Sequence, residues 1–149
     1  MNVLRMVVVA FLAGCATSPA SLEPETLRDT AWRLLAIQSM DDAQGTTRVA
    51  DPSRYTLRFD ADGRAALRLD CNRGAGTWKA QPAGDGTGSL EFGPIATTRM
   101  ACPPPSLGDR VGRDLGYVRG YRLKDGTLYL SLMADGGILE WEPEPLSRP

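Results

Sequence analysis

Apolar and polar residues alternate in short stretches along most of this chain, starting near Thr30. In the clearest example, Tyr55, Leu57 and Phe59 alternate with polar residues, as expected for a strand with one buried face. Turns that contain glycine separate the stretches. The pattern predicts about eight strands. They cover 30–37, 55–59 and 65–71, a stretch around Trp78, and then 90–92, 121–123, 128–132 and 138–142.

Two intervening segments lack this alternation and are predicted to be loops. Residues 38–53 are mostly polar, and residues 81–88 hold three glycines and a proline, which disfavour regular structure. A single helix is predicted over residues 107–118, with Ser106 as a candidate cap. Its apolar residues recur every three or four positions and would pack against the sheet from one helix face. They are Leu107, Val111, Leu115 and Val118.

Consecutive hairpins favour an antiparallel sheet, and about eight strands are enough to close a small barrel. The predicted fold is therefore mainly β (α+β): an eight-stranded, barrel-like meander with one packed helix. With 149 residues, of which 42% are hydrophobic, the chain suits a single domain. We predict that this domain spans residues 30–142, and that the proline-containing end, residues 143–149, is a disordered tail.

The beginning of the chain has the pattern of an export signal. A short basic region ends at Arg5, an apolar run follows, and small residues precede Cys15. The apolar run is too short for a membrane-spanning helix, which needs about 20 residues. We therefore predict a signal peptide over residues 1–14. Residues 15–29 are predicted to be a flexible tether, because they are rich in Pro, Ser and Ala.

The four residues Leu12-Ala13-Gly14-Cys15 resemble the bacterial lipobox. That resemblance implies acylation of the Cys15 thiol and cleavage of the chain before it. The following residue is Ala16 rather than Asp, and Asp at this position resembles an inner-membrane retention signal. The expected location is the cell envelope, lipid-anchored at the periplasmic face of the outer membrane. Several acyl chains would make this membrane attachment effectively permanent.

Composition removes several classes of function. The chain contains no histidine, which excludes a Ser-His-Asp triad, a Cys-His pair and the commonest zinc sites. The formal net charge is −1, and only two of the seventeen basic residues are lysine. They form no basic stretch, so a nucleic-acid partner is not expected. We predict no catalytic residues, no cofactor and no metal.

Two segments identify a family resemblance. They are Asp70-Cys71-Asn72-Arg73-Gly74-Ala75-Gly76 and Thr97-Thr98-Arg99-Met100-Ala101-Cys102-Pro103. Together with the Trp32-Arg33-Leu34 strand, they resemble the META domain family, which includes the HslJ-like heat-shock lipoproteins. The resemblance implies a small β-rich barrel with a helix packed on it, and no known catalytic residue. Members are associated with the cell envelope and stress responses. Asp70 departs from the pattern, in which glycine commonly precedes Cys-Asn.

Cys71 and Cys102 are the cysteines left after lipidation of Cys15. Two thiols in an oxidising compartment usually pair, so a structural disulfide is the first interpretation. Two separate buried thiols are the second. A reactive thiol is the third, although neither a histidine base nor a Cys-x-x-Cys spacing is present to activate it.

The remaining candidate residues have ordinary structural interpretations beside functional ones. Asn72 is predicted to adopt a left-handed turn conformation, with its side chain bonded to nearby backbone. Gly74 and Gly76 are predicted to be turn residues rather than a phosphate loop. Arg73 and Arg99 would share a face and hold an anion if the disulfide forms, but solvated surface arginines are the simpler interpretation.

Three tryptophans, Trp32, Trp78 and Trp141, are predicted core residues; the other interpretation is that they line a ligand cavity. The sequence as a whole favours a non-enzymatic outer-membrane lipoprotein that serves envelope maintenance or stress tolerance through binding or structural contacts. The alternative is a carrier that holds a small apolar ligand inside the barrel. An enzyme without histidine would need a pair of carboxylates in a cleft, and no such pair is evident. The ligand-binding residues and the protein partner are not identifiable from the sequence.

Overall fold

A computed structural model of the chain describes residues 27–145. The predicted signal peptide, Cys15, most of the predicted tether and the end of the predicted tail lie outside these residues. The described chain forms ten strands, one α-helix and a short 3-10 helix (Pro52–Arg54). The strands are β1 (Thr30–Gln38), β2 (Thr46–Arg48), β3 (Tyr55–Phe59), β4 (Arg64–Leu69), β5 (Asn72–Gly84), β6 (Thr87–Phe92), β7 (Ala96–Thr97), β8 (Val118–Lys124), β9 (Thr127–Leu132) and β10 (Ile138–Pro143). The helix is α1 (Gly108–Leu115).

Eight of the strands form a closed antiparallel barrel. Its order is β1, β3, β4, β5, β6, β8, β9 and β10, and β10 pairs back with β1. The two remaining strands lie outside this ring, where β2 pairs with β1 and β7 pairs with β5. The predicted fold class is confirmed, because each predicted strand overlaps one strand of the barrel.

The segment predicted as a loop over residues 81–88 is instead the end of a hairpin, so that prediction was wrong. Strand β5 runs on to Gly84 and β6 begins at Thr87. The two residues between them, Asp85 and Gly86, have φ of 51° and 69°, which suits a tight hairpin turn. Pro82 and Gly84 lie in the exposed end of β5, Gly86 lies in the turn, and Gly88 is a half-buried residue of β6. The predicted loop at 38–53 likewise contains the three-residue strand β2.

Helix α1 is shorter than predicted. It ends at Leu115, and Gly116 follows as its C-cap, with a backbone N–H that donates to the Arg113 carbonyl. Val118 is therefore not helical but is the first residue of β8. Its side chain is nevertheless fully buried, as are those of Val111 and Leu115. The apolar periodicity identified three buried positions and the half-buried Leu107 correctly, but it did not mark the end of the helix.

Large apolar side chains fill the inside of the barrel. The buried set is Trp32, Leu34, Leu57, Phe59, Leu67, Leu69, Leu90, Tyr121, Leu128, Leu130, Leu139 and Trp141. Trp141 is fully buried, and the partly buried Trp78 packs edge-on against Phe59 with ring centroids 5.0 Å apart. Trp32 and Trp141 are core residues, as predicted, whereas Trp78 is half-buried and packs against the core from its edge.

The two ends of the barrel are closed differently. Helix α1 packs at the end where β4 finishes, with Gly108 directly over Leu69. Leu27 is 2% exposed and lies at the opposite end, where β1 begins and β3 finishes. Next to it, the Arg28 guanidinium donates to the Ala61 carbonyl at 2.6 Å. Residues 27–29, which the sequence analysis assigned to the tether, therefore contact the barrel.

The close packing of α1 against Leu69 of the barrel leads to a specific prediction. A Cβ atom at Gly108 would lie 2.7 Å from the Leu69 carbonyl oxygen, whereas one at Gly112 would lie 3.2 Å from a Leu69 side-chain methyl. Gly108→Ala should lower the free energy of unfolding by about 1–3 kcal/mol, because backbone has to move. Gly112→Ala should be near neutral, because a helix-propensity gain of up to about 1 kcal/mol offsets mild crowding. Urea unfolding of both variants checks this, and equal effects would contradict it.

Candidate functional site

A disulfide joins Cys71 and Cys102, with 5.6 Å between the two Cα atoms. It connects the turn between β4 and β5 to the exposed segment that follows β7. The predicted structural disulfide is confirmed. Both sulfurs are bonded to each other, so neither is a free thiolate that could attack a substrate.

The turn that carries Cys71 begins with Asp70. This residue has a φ of +66° and occupies the first position of a two-residue hairpin turn, where positive φ favours glycine. The backbone therefore keeps the conformation suited to glycine even though the residue is Asp. The Asp70 carboxylate is 1% exposed and accepts a hydrogen bond from the Arg54 guanidinium. Its backbone N–H donates to the Arg54 carbonyl at 2.8 Å.

The turn lies two residues earlier than predicted from the sequence. Asn72 is the first residue of β5 and does not have a left-handed backbone, and Gly74 and Gly76 are also strand residues; these predictions were wrong. The glycines serve a different purpose, which is close packing. Cβ atoms at Gly74 and Gly76 would lie 3.1 Å from the side chains of Leu67 and Ile95 respectively.

Asn72 holds the segment after β7 against the barrel. Its side chain is buried, and its Oδ1 accepts from the Met100 backbone N–H at 2.7 Å and from the Thr98 hydroxyl at 2.8 Å. Its Nδ2 donates to the Met100 carbonyl at 3.0 Å and contacts the Cys102 sulfur at 3.3 Å. The predicted bond to backbone exists, but the partner is 28 residues away along the chain.

Further contacts fix the same segment along its length. Strand β7 pairs with Gly74 and Ala75 of β5. Beyond it, the Thr98 backbone N–H donates to the Arg73 carbonyl at 2.9 Å, and the Arg73 N–H donates to the Thr98 hydroxyl at 3.0 Å. Residues 96–101 are all exposed, yet their position is fixed by strand pairing, by Asn72 and by the disulfide.

A cleft of about 580 Å³ lies between this fixed segment and helix α1. Pockets of roughly 300–1,000 Å³ are typical of ligand sites. Leu69 and Asn72 belong to the barrel side of the cleft. One wall is formed by Ile95, Thr97, Thr98, Arg99, Met100 and Ala101, and the other by Gly108, Asp109, Gly112 and Arg113 of α1.

Two arginines and one acid line the cleft. Arg99 and Arg113 are on opposite walls, and Asp109 lies in the first turn of α1. Behind them, Asp114 pairs with Arg110 at 3.6 Å, and burial raises the pKa of the Asp114 carboxyl. Arg73 does not line the cleft but lies exposed beside Arg68 on β4. Of the two arginines considered from the sequence as a shared anion site, Arg99 alone lines the cleft.

Residues 27–145 hold neither a metal-binding cluster nor a membrane-spanning helix. No three histidine, cysteine, aspartate or glutamate side chains come together in an arrangement that suits a metal ion. Over the same range, no helix has the length and hydropathy that a membrane crossing requires.

The family model for the META domain matches residues 25–144, so this chain belongs to the META domain family. Two solved structures share its fold. One is the NMR structure of a protein from Burkholderia xenovorans, with 22% identity and a TM-score of 0.64, covering 96% of this chain and 99% of that one. The other is the crystal structure of a DUF4847 family protein from Bacteroides vulgatus, with 14% identity and a TM-score of 0.54, covering 79% and 94%. No curated protein sequence matches significantly.

Proposed function

We propose that this chain is a lipid-anchored outer-membrane protein that supports envelope maintenance or stress tolerance by binding a partner, without catalysing a reaction. The partner binds in the cleft between residues 95–101 and α1. The main support for the proposal is that residues 95–101, although largely exposed, are held in a fixed position against the barrel. A disulfide and several hydrogen bonds from Asn72 hold residues that contribute little to the core, so their fixed position serves the cleft.

The filled barrel interior favours this proposal over a carrier of apolar ligands. A carrier needs space inside the barrel, whereas Leu, Phe and Trp side chains occupy the inward positions here. The cleft is polar and open, and its walls carry charged and hydroxyl-bearing side chains. These groups can bind a polar partner through hydrogen bonds and charge-assisted contacts.

The position of the chain ends supports the proposed anchor. Leu27 packs at the end of the barrel opposite α1, and Cys15 precedes it by twelve residues. A membrane-attached Cys15 therefore connects to the end of the domain that lies away from the cleft. In this arrangement the cleft faces the aqueous space and is free to receive a partner.

The anchor is tested with Cys15→Ser in the organism that encodes the chain. The variant is expected to lose palmitate labelling and to leave the outer-membrane fraction, because serine cannot form the thioether. Cys71→Ser/Cys102→Ser is the matched control, since it also removes thiols but should still be labelled and fractionate with the membrane. Unchanged labelling of Cys15→Ser would refute the lipid anchor.

The binding role is tested in the same organism with the gene deleted. The deletion strain is expected to become sensitive to detergent or osmotic stress, and the wild-type chain should restore resistance. Arg99→Gln/Arg113→Gln should fold and reach the membrane but fail to restore resistance, whereas Arg119→Gln/Arg122→Gln on β8, outside the cleft lining, should restore it. Full rescue by the cleft variant would refute the role of the cleft.

A further inference from the structure

Strand β7 has an edge without a backbone partner. It pairs only with β5 among the described strands, so one row of its N–H and C=O groups has no strand beside it. Free strand edges are templates for a further strand, and proteins that have no use for them usually shorten, charge or cover them. The edge of β7 is short, but no described strand covers it.

The free groups can be assigned to particular residues. The Thr98 backbone N–H points towards β5, because it donates to the Arg73 carbonyl. Successive N–H groups along a strand point to opposite sides, so the Thr97 N–H points away from β5. Thr97 also lines the cleft. A donor held in extended backbone therefore adjoins the cleft.

This edge is already ordered before any partner binds. The disulfide, the Asn72 hydrogen bonds and the Arg73–Thr98 contacts fix residues 97–102. A partner strand would thus lose its own conformational entropy on binding, but residues 97–102 would lose little, because they are already held in place. The opposite wall is α1, which would lie along the other side of an added strand.

The charges specify what the added strand should contain. Arg99 and Arg113 line the cleft and form no ion pair within the described chain, while Asp109 is its sole lining acid. The excess positive charge favours an anionic group, and arginine is suited to hold a carboxylate in two-point contacts. Met100 is 64% exposed at the same wall and offers an apolar contact beside the charges.

We propose that the cleft receives an extended segment of a partner polypeptide, which pairs with the free edge of β7 and places an acidic side chain or terminal carboxylate against Arg99 and Arg113. This mode is β-strand addition, in which main-chain hydrogen bonds provide affinity and side-chain contacts provide selectivity. The inference rests on the proposed binding role of the cleft, and it names the class of partner.

The experiment uses the mature chain, with Cys15→Ser for solubility, against a displayed library of linear peptides. Selected peptides are expected to be rich in Asp and Glu, and titration calorimetry of the best one gives the affinity. Thr97→Pro should weaken it at least tenfold, because proline removes the free N–H but is tolerated at an outward-facing edge position. Thr97→Val is the matched control and should bind like wild type, since it loses only the hydroxyl.

The charges are tested on the same peptide. Arg99→Gln/Arg113→Gln should weaken binding at least tenfold, and replacing the acidic residues of the peptide by their amides should have the same effect on the wild-type chain. Amide-exchange protection at Thr97 should rise when the peptide binds.

Three results would overturn the inference: selection of no peptide, equal binding by Thr97→Pro and wild type, or self-association of the chain through this edge instead. The Arg99→Gln/Arg113→Gln strain could still lose stress resistance when one of these three results is obtained. The cleft would then have its proposed binding role, but its partner would not be an added strand. Full rescue by that strain would instead remove the proposed function itself.

Discussion

Reduction of the Cys71–Cys102 disulfide is expected to lower the free energy of unfolding by roughly 3–4 kcal/mol, which follows from chain entropy for a loop of this length. The two cysteines are 31 residues apart, so an intact bridge removes many conformations from the unfolded chain. That loss is a large part of the ~5–15 kcal/mol that typically stabilises a domain. Denaturant unfolding with and without a reductant measures it.

The Cys71→Ser/Cys102→Ser variant provides the control. It should match the reduced wild-type protein and should not respond to the reductant. Amide exchange at Thr98 and Met100 should accelerate in it more than exchange in β9 and β10, because the cleft wall loses one of its attachments. A change below about 1 kcal/mol on reduction would contradict the stabilising role given to the bridge.

Asn72→Asp is expected to lower the free energy of unfolding by roughly 3 kcal/mol near neutral pH, although the two side chains have nearly the same shape. The new carboxylate keeps an acceptor for the Met100 N–H and the Thr98 hydroxyl. In the wild-type chain the Asn72 Nδ2 lies 3.0 Å from the Met100 carbonyl oxygen and donates to it. The variant puts a charged oxygen in place of that donor, facing the same carbonyl. Thermal or urea unfolding, with Asn72→Ala for comparison, measures this effect.

The direction in which the stability of Asn72→Asp changes with pH shows whether the new charge, rather than a change of side-chain shape, causes the loss. Burial and the facing carbonyl should raise the pKa of the introduced carboxyl above its unfolded value of about 3.9. The folded variant then binds a proton more readily than the unfolded one, so its stability falls as pH rises through that interval. The deficit relative to wild type should therefore be smaller near about pH 4.5 than near about pH 7.5. A deficit that does not change with pH would contradict the mechanism.

The strands of the barrel were predictable because burial of one face leaves a period of two in the sequence. Tyr55, Leu57 and Phe59 follow this period and are all buried. Closure of the ring followed from the number of strands. The helix was less well predicted, since the apolar spacing continued through Val118 while the backbone changed from helix to strand at Gly116 and Tyr117.

The turn near Cys71 could not be located from local preferences. Glycine and asparagine both favour turns, and the turn was therefore predicted at Asn72, Gly74 and Gly76. The glycines are needed for a contact with a residue far away in the sequence. Ile95 packs across β5, and residues without side chains are needed beneath it. The contact of the buried Asp70 carboxylate with Arg54 is equally non-local, and it involves an aspartate whose backbone is left-handed.

The cleft could not be predicted from the sequence, because it also depends on contacts between residues that are far apart in the chain. Its walls come from residues 95–101 and from α1, and the first wall is held by Asn72, which lies 28 residues before Met100 in the chain. The disulfide was predictable from the number of cysteines. A polar residue directly beside a disulfide-bonded cysteine is the signal that would have suggested a side-chain contact with the segment on the other side of the bridge.

The two ends of the described domain lie side by side, since the Glu144 backbone N–H donates to the Ala31 carbonyl at 2.8 Å. A reporter protein fused directly after Pro145 would therefore start near the end of the barrel from which the proposed tether leaves, and away from the cleft. The same proximity suits circular permutation, with a short linker across the old ends and new termini opened at Asp125-Gly126. In that rearranged chain, a lipid anchor and a cargo could be attached independently while the disulfide and Asn72 contacts stay intact.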